Sequence, residues 1–199
     1  ISKLSDIIIE ALDTNLSERE AELAADILVD LAKKLEKTIR AGLSLRLSAL
    51  KEIPLRLALY LANDTIEVAG PFLENTQALS EMDLYYIIQA QKSGHWSAIA
   101  KRKDLSPNIM TLLAEKNDAQ TSQTLLRNTQ INLDEKVLSI LSAFVAEHTD
   151  LIRDFAARRE VSQELMLELY WKVNEAERQV IVEMSDIDVK ELDEAMEDT

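Results

Sequence analysis

Short apolar segments alternate with polar corners over most of this chain. Within each segment, large apolar residues recur at the spacing i, i+3, i+4, which places them on one face of a helix about ten residues long. This spacing opens five successive segments, at Leu57, Tyr60 and Leu61; at Leu84, Ile87 and Ile88; at Ile109, Leu112 and Leu113; at Val137, Ile140 and Leu141; and at Leu165 and Leu169. A second apolar stretch follows each corner, so the pattern predicts a series of helical hairpins.

The corners are rich in Asn, Asp, Ser and His. Asn and Asp side chains accept hydrogen bonds from the free N–H groups at the start of a helix, so we expect them to cap the second helix of each hairpin. The corners are Asn63-Asp64, Ser93-Gly94-His95, Asn117-Asp118, His148-Thr149-Asp150 and Asn174.

Three short motifs recur after nearly the same interval, 53 to 56 positions. The pairs are Asn75-Thr76-Gln77 with Asn128-Thr129-Gln130, Asn63-Asp64 with Asn117-Asp118, and the stretch from Ala100 to Ser106 with that from Ala156 to Ser162. Half of this interval gives a repeat of about 27 residues. A single hairpin of this size cannot bury its apolar face, whereas stacked neighbours can. The sequence therefore predicts an all-α, HEAT-like α-solenoid of helix-turn-helix repeats with a right-handed superhelix.

The repeats predict one continuous domain with an acidic tail. Residues 1–53 form N-terminal capping helices, residues 54–189 form five hairpin repeats, and residues 190–199 form the tail. The repeats divide as 54–80, 81–106, 107–133, 134–162 and 163–189.

Within the capping element, the pattern predicts a short helix from Asp6 to Leu12, a capping box from Ser17 to Glu20 and then an amphipathic helix. The apolar face of that helix carries Leu23, Ile27, Leu28, Leu31 and Leu35. Its polar side carries the i,i+4 pairs Asp30 with Lys34 and Glu36 with Arg40.

Two local predictions concern the backbone. Pro71 falls inside an otherwise helical pattern, so we expect a kink or break there. Asn75 and Asn128 follow apolar helices, and Asn tolerates the left-handed conformation that often ends a helix, so we expect that conformation at both.

Composition supports a helical protein of a reducing compartment. The 199 residues include only three Gly and three Pro, and no Cys. Disulfides, thiolate metal sites and cysteine-based catalysis are therefore excluded. No apolar stretch is long enough to span a bilayer and no signal peptide is evident. We expect a cytoplasmic protein and, because the sequence starts at Ile1 rather than Met, a fragment of a longer chain.

The net charge of −14 narrows the class of partner. Nucleic-acid and anionic-membrane binding both require clustered Lys and Arg, so neither is expected. Acidic residues concentrate at the C-terminus, with eight of them and a single Lys from Glu183 onward. A basic protein or peptide partner fits this charge best.

Catalytic chemistry has little support in this sequence. His95 and His148 both lie at corners, without the spacing of a zinc motif, so capping or packing roles are favoured. Neither a glycine-rich phosphate loop nor a nucleophile elbow is present. We therefore predict no catalytic residue, metal or cofactor, and a protein that is not an enzyme.

Candidate interaction residues lie where a large or basic residue stands in a second helix or breaks the repeat. These residues are Trp96, Lys101, Arg102 and Arg127. Trp171 also breaks the repeat, but we expect it to cover the open end of the array. Arg102 and Arg158 occupy equivalent positions, where pairing with acidic residues of the next unit or with helix C-terminal carbonyls is the favoured role.

Several of these segments resemble a known family. They are Ile27-Leu28, Glu36 with Arg40, Pro54 through Asn63-Asp64, Val68 through Leu73, and Ala98 through Arg102. Together they resemble domain of unknown function 2336, an alphaproteobacterial family with HEAT-like helical repeats, over about residues 16–170. The resemblance implies the fold and a bacterial cytoplasmic setting. It implies no activity and therefore no catalytic residue.

Three functions are compatible with this sequence. The first is a non-enzymatic scaffold or adaptor that presents a curved helical surface to a protein or peptide. The second is a regulatory module that senses a small ligand or nucleotide through a polar pocket near Trp96 and Arg102. The third, a HEAT-like nucleic-acid enzyme, would need a basic groove, and the net charge disfavours it.

Overall fold

A computed structural model describes residues 18–50 and 52–185, and all of the regular secondary structure in these residues is helical. Within them the chain forms twelve α-helices, one 3-10 helix and no strand. The predicted acidic tail, the predicted helix from Asp6 to Leu12 and Ser17 of the capping box lie outside the described residues. The helices are α1 Glu18–Lys33, α2 Lys37–Leu47, α3 Leu55–Ala62, α4 Ile66–Asn75, α5 Glu81–Ala90, α6 Ser93–Ala100, α7 Pro107–Ala114, α8 Ala119–Arg127, α9 Glu135–Glu147, α10 Ile152–Ala156, α11 Gln163–Lys172 and α12 Glu175–Met184, with the 3-10 turn Thr149–Leu151 before α10.

The chain divides into two compact units after Arg102, and alternate helices pack together within each. In the first unit α1 packs on α3, while α2, α4 and α6 pack in succession. In the second unit α7, α9 and α11 form one such row, and α8, α10 and α12 form the other. Within each unit, successive hairpins therefore contact each other through both of their helices, except at α5, which packs chiefly on its own partner α6.

The predicted core positions are buried. In the first four repeats the first and last residues of the motif are buried, for example Leu57 and Leu61. In the fifth repeat Leu169 is buried, whereas Leu165 is half-buried. The middle position is half-buried at Tyr60, as it is in two later repeats. Burying each large apolar side chain contributes about 1.5–3 kcal/mol, so the periodic positions supply much of the stabilisation.

Side-chain caps fix the starts of most later helices. Asp118 and Asn174 cap second helices as predicted, each accepting a hydrogen bond from a first-turn N–H. The other three corners provide no side-chain cap to the following helix. First helices are capped instead at positions that the corner pattern did not indicate, by Ser80, Ser106, Asp134 and Ser162.

The structure contradicts one backbone prediction and part of another. Helix α4 runs without interruption through Pro71, so the break does not occur. Asn75 is the last helical residue of α4, and Asn128 has a φ of −78°, so neither is left-handed. Among the described non-glycine residues, only Asn117 has a positive φ, of 51°.

Helix α1 buries a different face from the predicted one. Leu23 and Ile27 are 58% and 62% exposed, and Leu31 is also exposed. The buried face carries Leu28, as predicted, but together with Ala25, Val29 and Ala32. Helix α1 packs on α3, and its enclosed face includes the two alanines Ala25 and Ala32.

Candidate functional site at the junction of two repeated motifs

Arg158 lies just after α10 and is buried, with only 7% of its surface exposed. Its Nη1 donates to the carbonyl of Asn128 at 2.7 Å and, more weakly, to that of Leu126 at 3.5 Å. Its Nη2 donates to the carbonyl of Ile131 at 2.9 Å. The last carbonyls of a helix have no partner within that helix, so Arg158 stabilises the C-terminal end of α8 from the following hairpin.

Glu160 completes this arrangement on the same loop. Its carboxylate accepts a hydrogen bond from Nη2 of Arg158 and another, at 3.3 Å, from the backbone N–H of Leu133. Partial burial tends to raise the pKa of Glu160, but these hydrogen bonds and the Arg158 charge outweigh it and lower the pKa below its ordinary value. The carboxylate is therefore ionised at neutral pH.

The second copies of the two longest recurring motifs meet at this place. Thr129 and Gln130 of the Asn-Thr-Gln motif line the same cleft as Arg158, Arg159 and Glu160 of the second motif. Ile131, Asn132 and Ala157 complete the lining, and the cleft encloses about 610 Å³. The second motif thus sits one hairpin after the first because its arginine binds the loop that carries the first.

The first unit contains the matching contact. Arg102 is only 3% exposed, and its Nη1 donates to the carbonyl of Leu73, in the last turn of α4, at 2.8 Å. Of the two roles favoured by the sequence, the structure shows pairing with helix C-terminal carbonyls. Arg102, a candidate interaction residue, therefore has its guanidinium buried and donating inside the fold.

The Asn residues in the two copies of the Asn-Thr-Gln motif form local hydrogen bonds. Asn75 donates from its amide nitrogen to the Pro71 carbonyl at 2.9 Å, within the last turn of α4. The side-chain oxygen of Asn128 accepts from the backbone N–H of Gln130 at 3.1 Å and so forms the turn that begins the cleft loop.

The other three candidate interaction residues are also engaged within their own units. The indole N–H of Trp96 donates to the Ile88 carbonyl at 2.8 Å, and the ring is half-buried. Lys101 lies 3.5 Å from Glu74. In the second unit, Arg127 contacts Asp154 at 2.9 Å, although its own side chain is largely exposed. Lys101 and Arg102 are consecutive residues of the first unit, whereas Arg127 belongs to the second.

The two copies of the recurring corner motif, Asn63-Asp64 and Asn117-Asp118, make different contacts. Asp118 accepts hydrogen bonds from Thr121, through both its N–H and its hydroxyl. Asp64 instead forms a two-point ion pair with Arg40, with N–O distances of 2.6 and 3.0 Å. The predicted pair of Arg40 with Glu36 is therefore wrong.

The pKa of Asp64 follows from this ion pair. Burial tends to raise it, but the hydrogen bonds from Arg40 and from the Thr65 N–H, together with the Arg40 charge, lower it below the ordinary value. Asn63 hydrogen-bonds to the Leu59 carbonyl at the end of α3 and accepts from Gln91.

Both histidines have packing and hydrogen-bonding contacts. His95 is buried, with Nε2 2.9 Å from the Asp64 carbonyl oxygen. His148 stacks on Phe144, with ring centroids 3.8 Å apart, and Nδ1 lies 3.1 Å from the Phe144 carbonyl oxygen. Over residues 18–50 and 52–185, no group of three or more His, Asp or Glu side chains is arranged to hold a metal ion.

One surface was missed by the sequence analysis, the outer face of α5. Met82, Tyr85 and Tyr86 are exposed there, by 60%, 42% and 64%. The spacing 82, 85, 86 is itself a helical i, i+3, i+4 pattern, opposite to the buried Leu84, Ile87 and Ile88. That second pattern was the available signal, and it shows that α5 carries apolar residues on two faces.

Comparison with known proteins places the chain in a family. The model of a family described as an uncharacterised protein conserved in bacteria, domain of unknown function 2336, matches residues 68–199. The match starts later than the resemblance suggested and continues through the fifth repeat to the end of the chain. No curated protein and no solved structure matches the chain. In the part of the chain that the structure describes, no helix is both long and apolar enough to cross a membrane. Since the match covers more than half of the sequence, this protein belongs to the bacterial family known as domain of unknown function 2336.

Proposed function

We propose that this protein is a non-enzymatic protein-protein interaction scaffold built as a HEAT-like, right-handed α-solenoid. The packing of alternate helices in each unit supports this proposal, because it is the contact pattern by which stacked hairpins share a core. Two further features fit a protein that acts in the reducing bacterial cytoplasm, namely the absence of cysteine and the bacterial family.

The observation that carries the proposal is the exposed face of α5. Tyr85 and Tyr86 pack edge to face, with centroids 5.7 Å apart, and both rings remain open to solvent beside Met82. Contiguous exposed aromatic and Met side chains are typical of protein interfaces, where they bury large areas with little loss of conformational freedom. We call Met82, Tyr85 and Tyr86 the α5 patch.

A basic, amphipathic peptide segment is the partner that suits the α5 patch. The helix begins with Glu81 and Asp83 and carries no Lys or Arg, in a chain of net charge −14. Tyr rings attract Lys and Arg side chains placed over their faces, and the partner's apolar residues would cover Met82. Long-range attraction by the acidic chain would also speed association with such a segment.

In-cell photo-crosslinking from the α5 patch tests this proposal. A photoreactive phenylalanine at Tyr86 would capture the partner, and the captured segment would then be purified and its affinity measured by calorimetry. We expect Tyr85→Ser with Tyr86→Ser to weaken binding at least tenfold. The matched control is Leu45→Ser on α2, which removes another exposed apolar side chain, 56% exposed in the folded unit.

Two outcomes would contradict the proposal. The first is a captured segment that is not basic. The second is a segment that binds wild type, the double Tyr variant and the Leu45 variant with equal affinity. Weaker binding at higher salt is expected, because part of the attraction is between exposed charges.

A small-ligand regulatory module is the second candidate function, and the polar cleft beside Arg158 is the observation that favours it. The sequence placed such a pocket near Trp96 and Arg102, whereas the cleft lies in the second unit. The third candidate, a nucleic-acid enzyme, has no comparable support, since Lys101 and Arg127 are paired with acidic residues.

A further inference from the structure

We propose that the cleft between residues 129–132 and 157–160 binds the anionic group, a phosphate or a carboxylate, of a small ligand. Arg158 and Arg159 would hold that group. The site lies in the second unit and does not depend on the α5 patch, so it stands apart from the scaffold proposal.

Arg158, one of the residues that line the cleft, has one donor without an acceptor. Its two terminal nitrogens are occupied by the carbonyls of Leu126, Asn128 and Ile131 and by Glu160. Its Nε–H, however, is buried and has no hydrogen-bond partner. A buried N–H of a charged group without an acceptor is unfavourable. A ligand oxygen would satisfy it once the lining opens enough to admit that oxygen.

Arg159 supplies a second cation at the mouth of the cleft. It is exposed, and among the described residues it forms no ion pair. A guanidinium presents a planar set of donors that matches the oxygens of a phosphate or carboxylate. Arg158 fixed within the wall and Arg159 free at the rim would together bind an anion from two directions.

The local charge favours an anion despite the acidity of the whole chain. Arg158 and Arg159 contribute two positive charges, and Glu160, the acidic residue of the lining, contributes one negative charge. The Glu160 carboxylate is turned to Arg158 and to the Leu133 N–H. A cation is disfavoured, because Arg158 already occupies the Asn128 and Ile131 carbonyls that would coordinate it.

The remaining lining residues suit a polar ligand of modest size. Thr129, Gln130 and Asn132 bring a hydroxyl and two amides to the cleft. A volume of about 610 Å³ lies within the range of small-molecule sites, about 300–1,000 Å³. The cleft can therefore hold more than the anionic group itself.

Nitrogen-detected or ¹⁵N-edited NMR of the arginine Nε–H groups tests the proposal on the full chain. Inorganic phosphate and malonate would be titrated separately, each against sodium chloride at equal ionic strength. The Arg158 Nε–H signal, assigned by its loss in Arg158→Lys, is expected to shift saturably with phosphate or with malonate. The anion that saturates at the lower concentration identifies which group the cleft prefers.

Two exposed arginines give a matched pair of variants. Arg159→Ala is expected to weaken anion binding at least tenfold. Arg153→Ala removes an exposed cation from α10 that does not line the cleft, and it is expected to bind as wild type does. Circular dichroism checks that both variants fold, and the Tyr85→Ser, Tyr86→Ser variant is expected to bind the anion normally.

Three results would overturn the proposal. The first is an Nε–H shift that chloride reproduces. The second is a shift that stays linear in concentration with both anions, which would indicate an adventitious ion only. The third is an equal loss of affinity in Arg159→Ala and Arg153→Ala, which would indicate general charge attraction rather than a site.

Discussion

Replacing Arg158 with methionine removes every hydrogen bond that the guanidinium makes but keeps a side chain of similar length. The Asn128 and Ile131 carbonyls, bound at 2.7 and 2.9 Å, would lose their donors, and Glu160 would lose its cation. Each buried carbonyl left without a donor costs about 1–3 kcal/mol. We therefore expect the free energy of unfolding to fall by about 3 kcal/mol, with the stranded carboxylate of Glu160 partly re-solvated at its exposed side.

Tryptophan fluorescence can locate this loss. The chain contains two tryptophans, Trp96 in the first unit and Trp171 in the second. In a Trp96→Phe background, the fluorescence of Trp171 reports the unfolding of the unit that contains Arg158. With a urea m-value of about 1.5 kcal/mol/M, the expected loss would lower the denaturation midpoint by about 2 M.

Arg159→Ala in the same background is the control. Its side chain is exposed, so its effect on unfolding is expected to stay within about 0.5 kcal/mol. A loss below about 1 kcal/mol in Arg158→Met would refute the reasoning, because it would mean that water or other donors serve those carbonyls equally well. An m-value changed by the substitution would instead show an altered unfolded or native state.

Three further predictions concern the first unit, and Trp96 fluorescence in a Trp171→Phe background reports each. Asp64→Asn should destabilise the protein by about 1.5–3 kcal/mol at pH 7, since it weakens a charge-assisted pair. Because the folded pKa of Asp64 is lowered, the stabilisation by this carboxylate is complete above the ordinary pKa of about 3.9 and disappears as the pH falls through the folded value. The difference between wild type and variant should accordingly shrink in acid, and a difference independent of pH would contradict the assignment. Leu28→Ala should cost about 2–5 kcal/mol, as it empties a buried position, whereas Leu23→Ala on the exposed face should change stability by less than about 0.5 kcal/mol; equal effects in urea unfolding would contradict the assigned face of α1. Gly42→Ala should stabilise α2 by about 0.5–1 kcal/mol, because no atom lies within 4 Å of the added Cβ, whereas Gly94→Ala places its Cβ 3.0 Å from Ile66 and should not stabilise; a gain in thermal midpoint for both would show that this contact relaxes freely.

The sequence determined the helical class and most core positions. Residues such as Leu57, Leu61 and Ile87 recur at helical spacing, and each is fully buried. Local geometry explains this success, since a 3.6-residue period places these side chains on one face whatever the face packs against. The same reasoning identified Asp118 and Asn174 as helix caps, because a cap acts within its own first turn.

The sequence did not determine which of two apolar faces is buried. Helix α1 has a stripe through Leu23 and Ile27 and another through Leu28 and Val29, and only the second is enclosed. Helix α5 likewise carries Tyr86 opposite its buried face. Periodicity alone predicts burial of either apolar face equally well. Which face is buried depends on how the neighbouring helices pack against it.

The cleft was decided by tertiary structure alone. Its two motifs were visible as repeats, and the favoured role of Arg158 at helix carbonyls is the observed one. The spacing nevertheless could not show that Arg158 reaches across to Asn128, Leu126 and Ile131, 27 to 32 positions earlier. Nor could it show that Nε would be left without an acceptor or that Arg159 would stay exposed. Helix formation depends on residues within about one turn of each other, but the surroundings of a side chain depend on which distant segments pack against it, and that is fixed only when the hairpins stack.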